Sequence, residues 1–265
     1  MSIHPTAIVD SNARLDSSVE VGPYSIIEGD VEIDAGTVIS SGVRIYSGTV
    51  IGQNNRIYHN AVLGTQPQSI GFDPATRTRL IIGDANEIRE GVNISRSMKP
   101  DAPTRIGSHN YMMGNFHIGH DAVMGDHNTF VQGCVIGGHV ELGNRITVAG
   151  LVAVHQFVRI GDFAMLGGLA KVTMDVPPYC TVDGNPALVI GQNSIGLRRN
   201  GFSKEQRAAV KQAYKIVYHS GLLTSDAVKR LKELEQTPEV AYITRFIDES
   251  ERGILDHWTA EMDGN

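Results

Sequence analysis

An aliphatic residue recurs every six positions from near the start of the chain: Ile3, Val9, Leu15, Val21, Ile27, Ile33, Ile39, Ile45, Ile51, Ile57 and Leu63. A second series runs Ile106, Met112, Ile118, Met124, Phe130, Ile136, Leu142, Val148, Val154, Ile160, Leu166 and Val172. Four places after each anchor of the second series another small or apolar residue recurs, from Phe116 and Ala122 to Ala170 and Val176, interrupted only by Asn110 and Asn128. Directly after the anchor glycine is frequent (Gly107, Gly119, Gly125, Gly137, Gly143, Gly161, Gly167), as a turn that needs a permissive φ would want. A period of six fits neither a 3.6-residue helix nor plain strand alternation. It fits a short strand plus a turn, repeated.

Three such sides close a triangular coil of about eighteen residues, with the anchors filling the bore and parallel strands stacked ~4.8 Å apart. Residues 3 to about 190 would then make roughly ten coils. The phase also marks interruptions. Leu63 to Ile82 is three hexads plus one residue, so 64–80 is expected to leave the wall as a loop, and Pro100 at an anchor position predicts a second excursion over 95–105. The prolines of "DVPPYCTVDGNPA" (175–187) are expected to end the ladder. Beyond them the signals are helical. Ser203 with Gln206 forms a capping box for a helix over 203–219 that Gly221 stops; Ser225 can cap a second near 226–235; Thr237-Pro238 opens a third. The expected organisation is a mainly β solenoid over 1–190 and a small α-helical C-terminal domain over 191–265 that covers its last open edge.

This geometry decides what "NFHIGHDAVMG" (115–125) can do. Residues eighteen apart sit above one another, so His120 stacks with Gly138 and Gln156, Asp121 stacks with His139, and His155 lies beside Gln156. The pair His117 and His120 is therefore not a helical pair but part of a patch about three coils tall, ~10 Å from bottom to top. A neutral histidine is the natural base for a hydroxyl proton near pH 7, and a glycine alongside leaves its N–H unobstructed for an oxyanion. No serine or cysteine stands in a nucleophile setting, which favours direct attack over an acyl-enzyme. Asp121 is the nearest carboxylate to orient His120, provided that the wall turns between them. Cys134 falls in the inward column and reads as inert core; Cys180 carries no signal.

Composition changes this picture little. The net charge of −6 argues against non-specific nucleic-acid binding, and two cysteines are too few for a disulfide framework. No apolar run approaches the ~18 residues of a membrane span, and "MSIHPTAIVD" has no secretion signal, so a cytoplasmic protein is expected.

The segments "IHPTAIVD", "VGPYSII", "GTQPQ", "HIGHD", "GGHV", "AVHQF", "DVPPY", "GNPA" and "GFS", in this order, resemble one hexapeptide-repeat family, the acyl-carrier-protein–UDP-N-acetylglucosamine O-acyltransferases that begin lipid A synthesis. The resemblance implies a left-handed parallel β-helix, although the general crossover rule favours the right hand. It implies His120 as catalytic base, Asp121 as its orienter and Gly138 as oxyanion donor. His117, His139, His155 and Gln156 would line the substrate groove, with Gln68 on the nucleotide sugar and Asn193 and Arg199 near its phosphates. It implies a homotrimer whose grooves are shared by neighbouring subunits, an acyl carrier protein as donor, and no cofactor or metal. Gly168 falls at the position that the family associates with measuring the acyl chain, and Lys171 close by could close the groove's far end.

Two departures stand out. Where the family usually reads "PQDLKY" this chain reads "PQSIGF", with Ser69 for an aspartate and Gly71 for a lysine, and Asn200 replaces a basic residue before "GF". These positions bear on the acceptor, so an N-acyltransferase acting on a 3-amino sugar is the alternative to O-acylation. Two remoter alternatives are a zinc enzyme like the γ-type carbonic anhydrases, which hang metal ligands on similar hexads, and a non-catalytic scaffold. Finally, Lys204, Arg207, Lys211 and Lys215 share one face of the first long helix and are candidates for docking the acidic carrier.

Overall fold

In the computed structural model, which describes residues 2–258, the hexads become short parallel strands, most of two residues. The strands stack into three sheets of 11, 9 and 8 members among the described residues, and all but the final strand, Leu188–Gln192, pair with neighbouring coils on their own wall and not with a sequence neighbour. Register is direct: along one wall His117 lies beside Val135, Val135 beside Ala153, and Ala153 beside Lys171. Ile118, Met124, Phe130 and Ile136 are buried in the bore. The architecture is a left-handed parallel β-helix followed by helices.

The two asparagines that interrupt the inward column explain themselves. Asn55, Asn86, Asn110 and Asn128 are buried one above another. Each Oδ1 accepts the backbone N–H of the next member, Asn86 at 2.9 Å, Asn110 at 2.9 Å and Asn128 at 2.8 Å, and the last accepts from Ile146 at 2.7 Å. Their Nδ2 groups donate to corner carbonyls, as Asn110 does to Gly125 at 3.0 Å. A polar column inside an apolar bore is tolerated because every donor and acceptor in it is paired.

The glycines after the anchors have a different cause from the one expected. None of them has positive φ; the left-handed residue is the one three after the anchor, and there it is Asp121, His127, His139, Leu151, Phe157, Phe163 and Leu169. The post-anchor glycine is required by close approach between coils. A Cβ at Gly119 would lie 2.6 Å from the Gly138 nitrogen of the next coil.

Residues 66–79 leave the wall between strands Val62–Thr65 and Leu80–Ile82, and 96–103 leave it between Asn93–Ser95 and Thr104–Ile106. The second excursion lengthens its coil, so Asn93 and not a residue eighteen back pairs with His117. At the other end the ladder outlasts the prolines. Val176 makes one bridge to Ile160, and strand Cys180–Asp183 then continues in parallel beside Met165–Leu166, closed by antiparallel Leu188–Gln192. Pro177 and Pro178 sit at the last corner of one wall, where no further coil needs the N–H that proline lacks.

Four helices follow: α1 (Ser194–Arg199), α2 (Lys204–His219), α3 (Thr224–Lys232) and α4 (Pro238–Asp248). The capping box of Ser203 and Gln206 opens α2, and Thr237 with Pro238 opens α4. Ser225 does not cap α3, which starts two residues earlier than expected with Leu223 at the cap and no side-chain bond; packing of Ala227, Val228 and Leu231 holds it instead. The short α1 carries no apolar period in the sequence and was not expected. The chain then returns to the solenoid, Leu255 N–H donating to Asp175 O at 2.9 Å and Val189 N–H to Asp256 O at 2.8 Å. Of the segment read as 191–265, residues 259–265 lie outside the described residues.

Candidate active site

The wall does turn between His120 and Asp121. Asp121 has φ 60°, and its N–H is fixed by the Thr104 hydroxyl at 2.8 Å. The corner swings the carboxylate beside its neighbour, so that His120 Nδ1 lies 2.6 Å from Asp121 Oδ2. On its other side Asp121 Oδ1 accepts from Ser97 Oγ at 2.6 Å and from Met98 N–H at 3.1 Å, both supplied by the second excursion. Burial alone would raise the carboxyl pKa; the bonds from Ser97, His120 and Met98 outweigh it and hold the pKa below the ordinary value. An ionised Asp121 accepts the Nδ1 proton of His120 and leaves Nε2 bare. Although on the outside of the coil, the His120 side chain is only 14% exposed.

Gly138 lies over that bare nitrogen. A Cβ there would sit 2.9 Å from His120 Cε1 and 3.0 Å from Nε2, and among the described residues nothing accepts its N–H. His139 stands edge-on to His120 with ring centroids 5.1 Å apart and stacks on Phe157 at 4.5 Å. Its Nε2 is 3.7 Å from Asp121 Oδ2. Burial lowers the pKa of His139 despite that carboxylate, and burial likewise lowers that of His117, whose Nδ1 bonds Asn93 Oδ1 at 3.0 Å. Both rings are therefore neutral near pH 7.

The other residues singled out are more dispersed. His155 and Gln156 lie exposed on the coil above, where Arg252 reaches back from beyond α4 to His155 Nδ1 at 3.0 Å and Gln156 O at 3.2 Å. Gln68 is exposed on the first excursion beside Ser69 and Gly71, with Ile70 fully in solvent. Asn193 caps α1 by accepting from Gly196 N–H at 3.0 Å and donates to Phe163 O at 2.8 Å, so both its polar atoms are already engaged. Arg199 is exposed in the last turn of α1, and Asn200 accepts from Arg145 at 3.1 Å. Lys171 shares the wall of His117, Val135 and Ala153, while Gly168 lies at the corner before that wall. Lys211 and Lys215 line a groove between α2 and strand 188–192; Lys204 is exposed, and Arg207 turns inward onto Phe202 O. Cys134 and Cys180 are buried, and burial pushes the Cys180 thiol to about 12.

Sequence reasoning missed Asn93, Ser97, Met98, Thr104, Phe157 and Arg252. The first three are hidden by the excursion, since stacking arithmetic in steps of eighteen points to the wrong partners once a loop is inserted; Thr104 lies seventeen before Asp121, one short of that step. Phe157 could have been found, because it is eighteen after His139.

What the arrangement offers is a base with a fixed tautomer, an unclaimed N–H beside it, and space kept open by a glycine. His120, Asp121 and His139 also place one donor atom each within 4.8 Å of one another, a set able to hold a metal ion. Similar proteins show the family to which the chain belongs. A family model described as UDP N-acetylglucosamine O-acyltransferase, domain 2, matches residues 175–255. The acyl-[acyl-carrier-protein]–UDP-N-acetylglucosamine O-acyltransferase of Pseudomonas entomophila is 48% identical, over 96% of this chain and 98% of its own. The chain belongs to this acyltransferase family. The enzyme of that name from Herminiimonas arsenicoxydans is 45% identical over the same shares. The solved UDP-N-acetylglucosamine O-acyltransferase of Moraxella catarrhalis superposes with a TM-score of 0.93 at 40% identity, covering 96% of this chain and all of that one.

Proposed function

We propose that this acyltransferase moves a 3-hydroxyacyl chain from the thioester of acyl carrier protein to the 3-hydroxyl of UDP-N-acetylglucosamine, the first step of lipid A synthesis. The observation that carries the reading is the His120–Asp121 pair with its bare Nε2 under Gly138. His120 Nε2 takes the proton of the 3-hydroxyl as its oxygen attacks the thioester carbonyl. The Gly138 N–H receives the resulting oxyanion. As the tetrahedral intermediate collapses, the thiolate leaves and recovers the proton from His120, while Asp121 stabilises the imidazolium between the two steps. Neutral His117 and His139 would line the groove without competing for the proton; His155, Gln156, Gln68 and Arg199 are assigned to the nucleotide sugar, and Asn193 acts there through α1, which it caps.

Exposed Val135 on one wall, with Leu151 and Leu169 stacked at the corner before it, supports a homotrimer with shared grooves, since exposed apolar side chains on a rigid solenoid call for a partner. Among the described residues no helix is long and apolar enough to cross a membrane, in keeping with a cytoplasmic enzyme.

A second reading rests on Ser69 and Gly71, which leave the first excursion with no charged side chain between Gln68 and Phe72. The same base and oxyanion donor would serve a 3-amino sugar and yield an amide. The test is kcat/KM for the 3-hydroxy and 3-amino UDP-sugars side by side, with products weighed by mass spectrometry. The hydroxyl sugar is expected to win; a clear preference for the amine would make this an N-acyltransferase. Elemental analysis of active protein addresses the metal-binding set: stoichiometric zinc whose removal abolishes transfer would contradict the base mechanism.

A further inference from the structure

The first excursion folds back over Asp30 and Ser47 and leaves a cavity of about 520 Å³, lined also by Arg77, Thr78, Arg79 and Arg96. Arg96 is only 8% exposed. Its Nε donates to Thr78 Oγ1 at 3.1 Å and Nη1 reaches the Gly64 carbonyl at 3.5 Å, but among the described residues no carboxylate lies within 4.0 Å of it. Glu28, whose charge it feels, is already paired with Arg44 at 3.1 Å and accepts the Ser47 N–H at 3.1 Å. A buried guanidinium without a carboxylate is costly to fold and needs a reason. Arg77 and Arg79 are exposed at the mouth, so three guanidinia face one acid, Asp30.

We propose that this cavity binds a phosphate-class dianion, with Arg96 at the floor and Arg77 and Arg79 at the mouth. Net charge in the lining matches a dianion, and the planar fork of arginine suits the paired oxygens of a phosphate. The volume leaves room for a diphosphate or a phosphate ester. The site also lies one residue behind the catalytic pair. Ser97, next to Arg96, donates to Asp121 at 2.6 Å, and the Arg79 carbonyl holds the N–H groups of Ser97 and Thr104 at 3.1 Å each. Filling the cavity would therefore stiffen the support of Asp121. Both substrates of the transfer carry phosphate, the diphosphate of the nucleotide sugar and the phosphodiester of the carrier's pantetheine arm.

The test is calorimetric titration of pyrophosphate into the full chain, comparing the parent with Arg96→Gln and Arg77→Gln. Losing one charge-assisted donor should weaken binding about tenfold or more. Because Arg77 is exposed, its variant keeps the test sound if Arg96→Gln fails to fold. No binding by the parent, or unchanged affinity in folded variants, would overturn the proposal. Steady-state kinetics of the same variants then name the source. A raised KM for the UDP-sugar assigns the cavity to its diphosphate, and a raised KM for the carrier assigns it to the pantetheine phosphate. Unchanged KM values with pyrophosphate affinity lost assign it to a free anion; in each of these cases the site stands.

Discussion

Replacing Gly138 with alanine separates two roles that the proposed mechanism gives this residue. Its backbone is not in the left-handed region, so alanine is allowed there and the N–H offered to the oxyanion survives. The new methyl, however, would lie 2.9 Å from His120 Cε1 and 3.0 Å from Nε2. Ordinary carbon contacts are about 3.5–4.0 Å, so the ring must retreat by roughly 0.5–1 Å. It has little freedom to do so, because Asp121 holds Nδ1 at 2.6 Å and Ser97 and Met98 hold Asp121. A 1 Å misplacement of a reacting group costs about 10²-fold, and loss of a general base about 10²–10⁴-fold. The expected outcome is kcat down by about 10²–10³-fold with a normal circular dichroism spectrum, measured with acyl carrier protein thioester and UDP-N-acetylglucosamine. A kcat within about threefold of the parent would refute the claim that the glycine keeps space over the base, leaving only its N–H to matter.

Other outcomes follow from the same geometry. The pKa of Asp121 is lowered on folding, so its ionised form stabilises the fold above the unfolded value of about 3.9, and that stability is lost as pH falls through the lower folded value; the stability gap between the parent and Asp121→Asn in denaturant titrations should be constant above about pH 5 and shrink below pH 4, and a gap that does not change with pH would show that the charge contributes nothing. Lys171 shares the wall of His117, Val135 and Ala153, so Lys171→Gly should extend the apolar track and admit longer acyl donors; an unmoved chain-length preference would free it of that role. Reversing Lys211 and Lys215 to glutamate should raise the KM for carrier protein and weaken its dependence on salt, whereas an unchanged KM would make that groove an ordinary solvated face.

The solenoid was legible because its period is carried by the anchors themselves, and a one-residue slip would expose all of them. The His120–Asp121–His139–Gly138 grouping was legible for the same reason, since stacking in steps of eighteen holds from residue 105 to Val172. What the sequence concealed lies where that arithmetic fails. Asn93 and Ser97 meet His117 and Asp121 across the second excursion, at separations of twenty-four, and Arg252 returns to His155 from ninety-seven residues away. The post-anchor glycines were correctly placed but misread, because close approach of two coils and positive φ select the same residue. Leu223 shows the converse limit: α3 starts without a cap because packing outweighs local propensity there.

The most direct test of the account is the rate of acyl transfer from carrier protein thioester to UDP-N-acetylglucosamine by His120→Ala beside the parent, with the ester product quantified by mass spectrometry. The account predicts a folded protein whose kcat is lower by about 10²–10⁴-fold. Transfer within about threefold of the parent would contradict it, because a reaction that does not need His120 Nε2 is not run by this base.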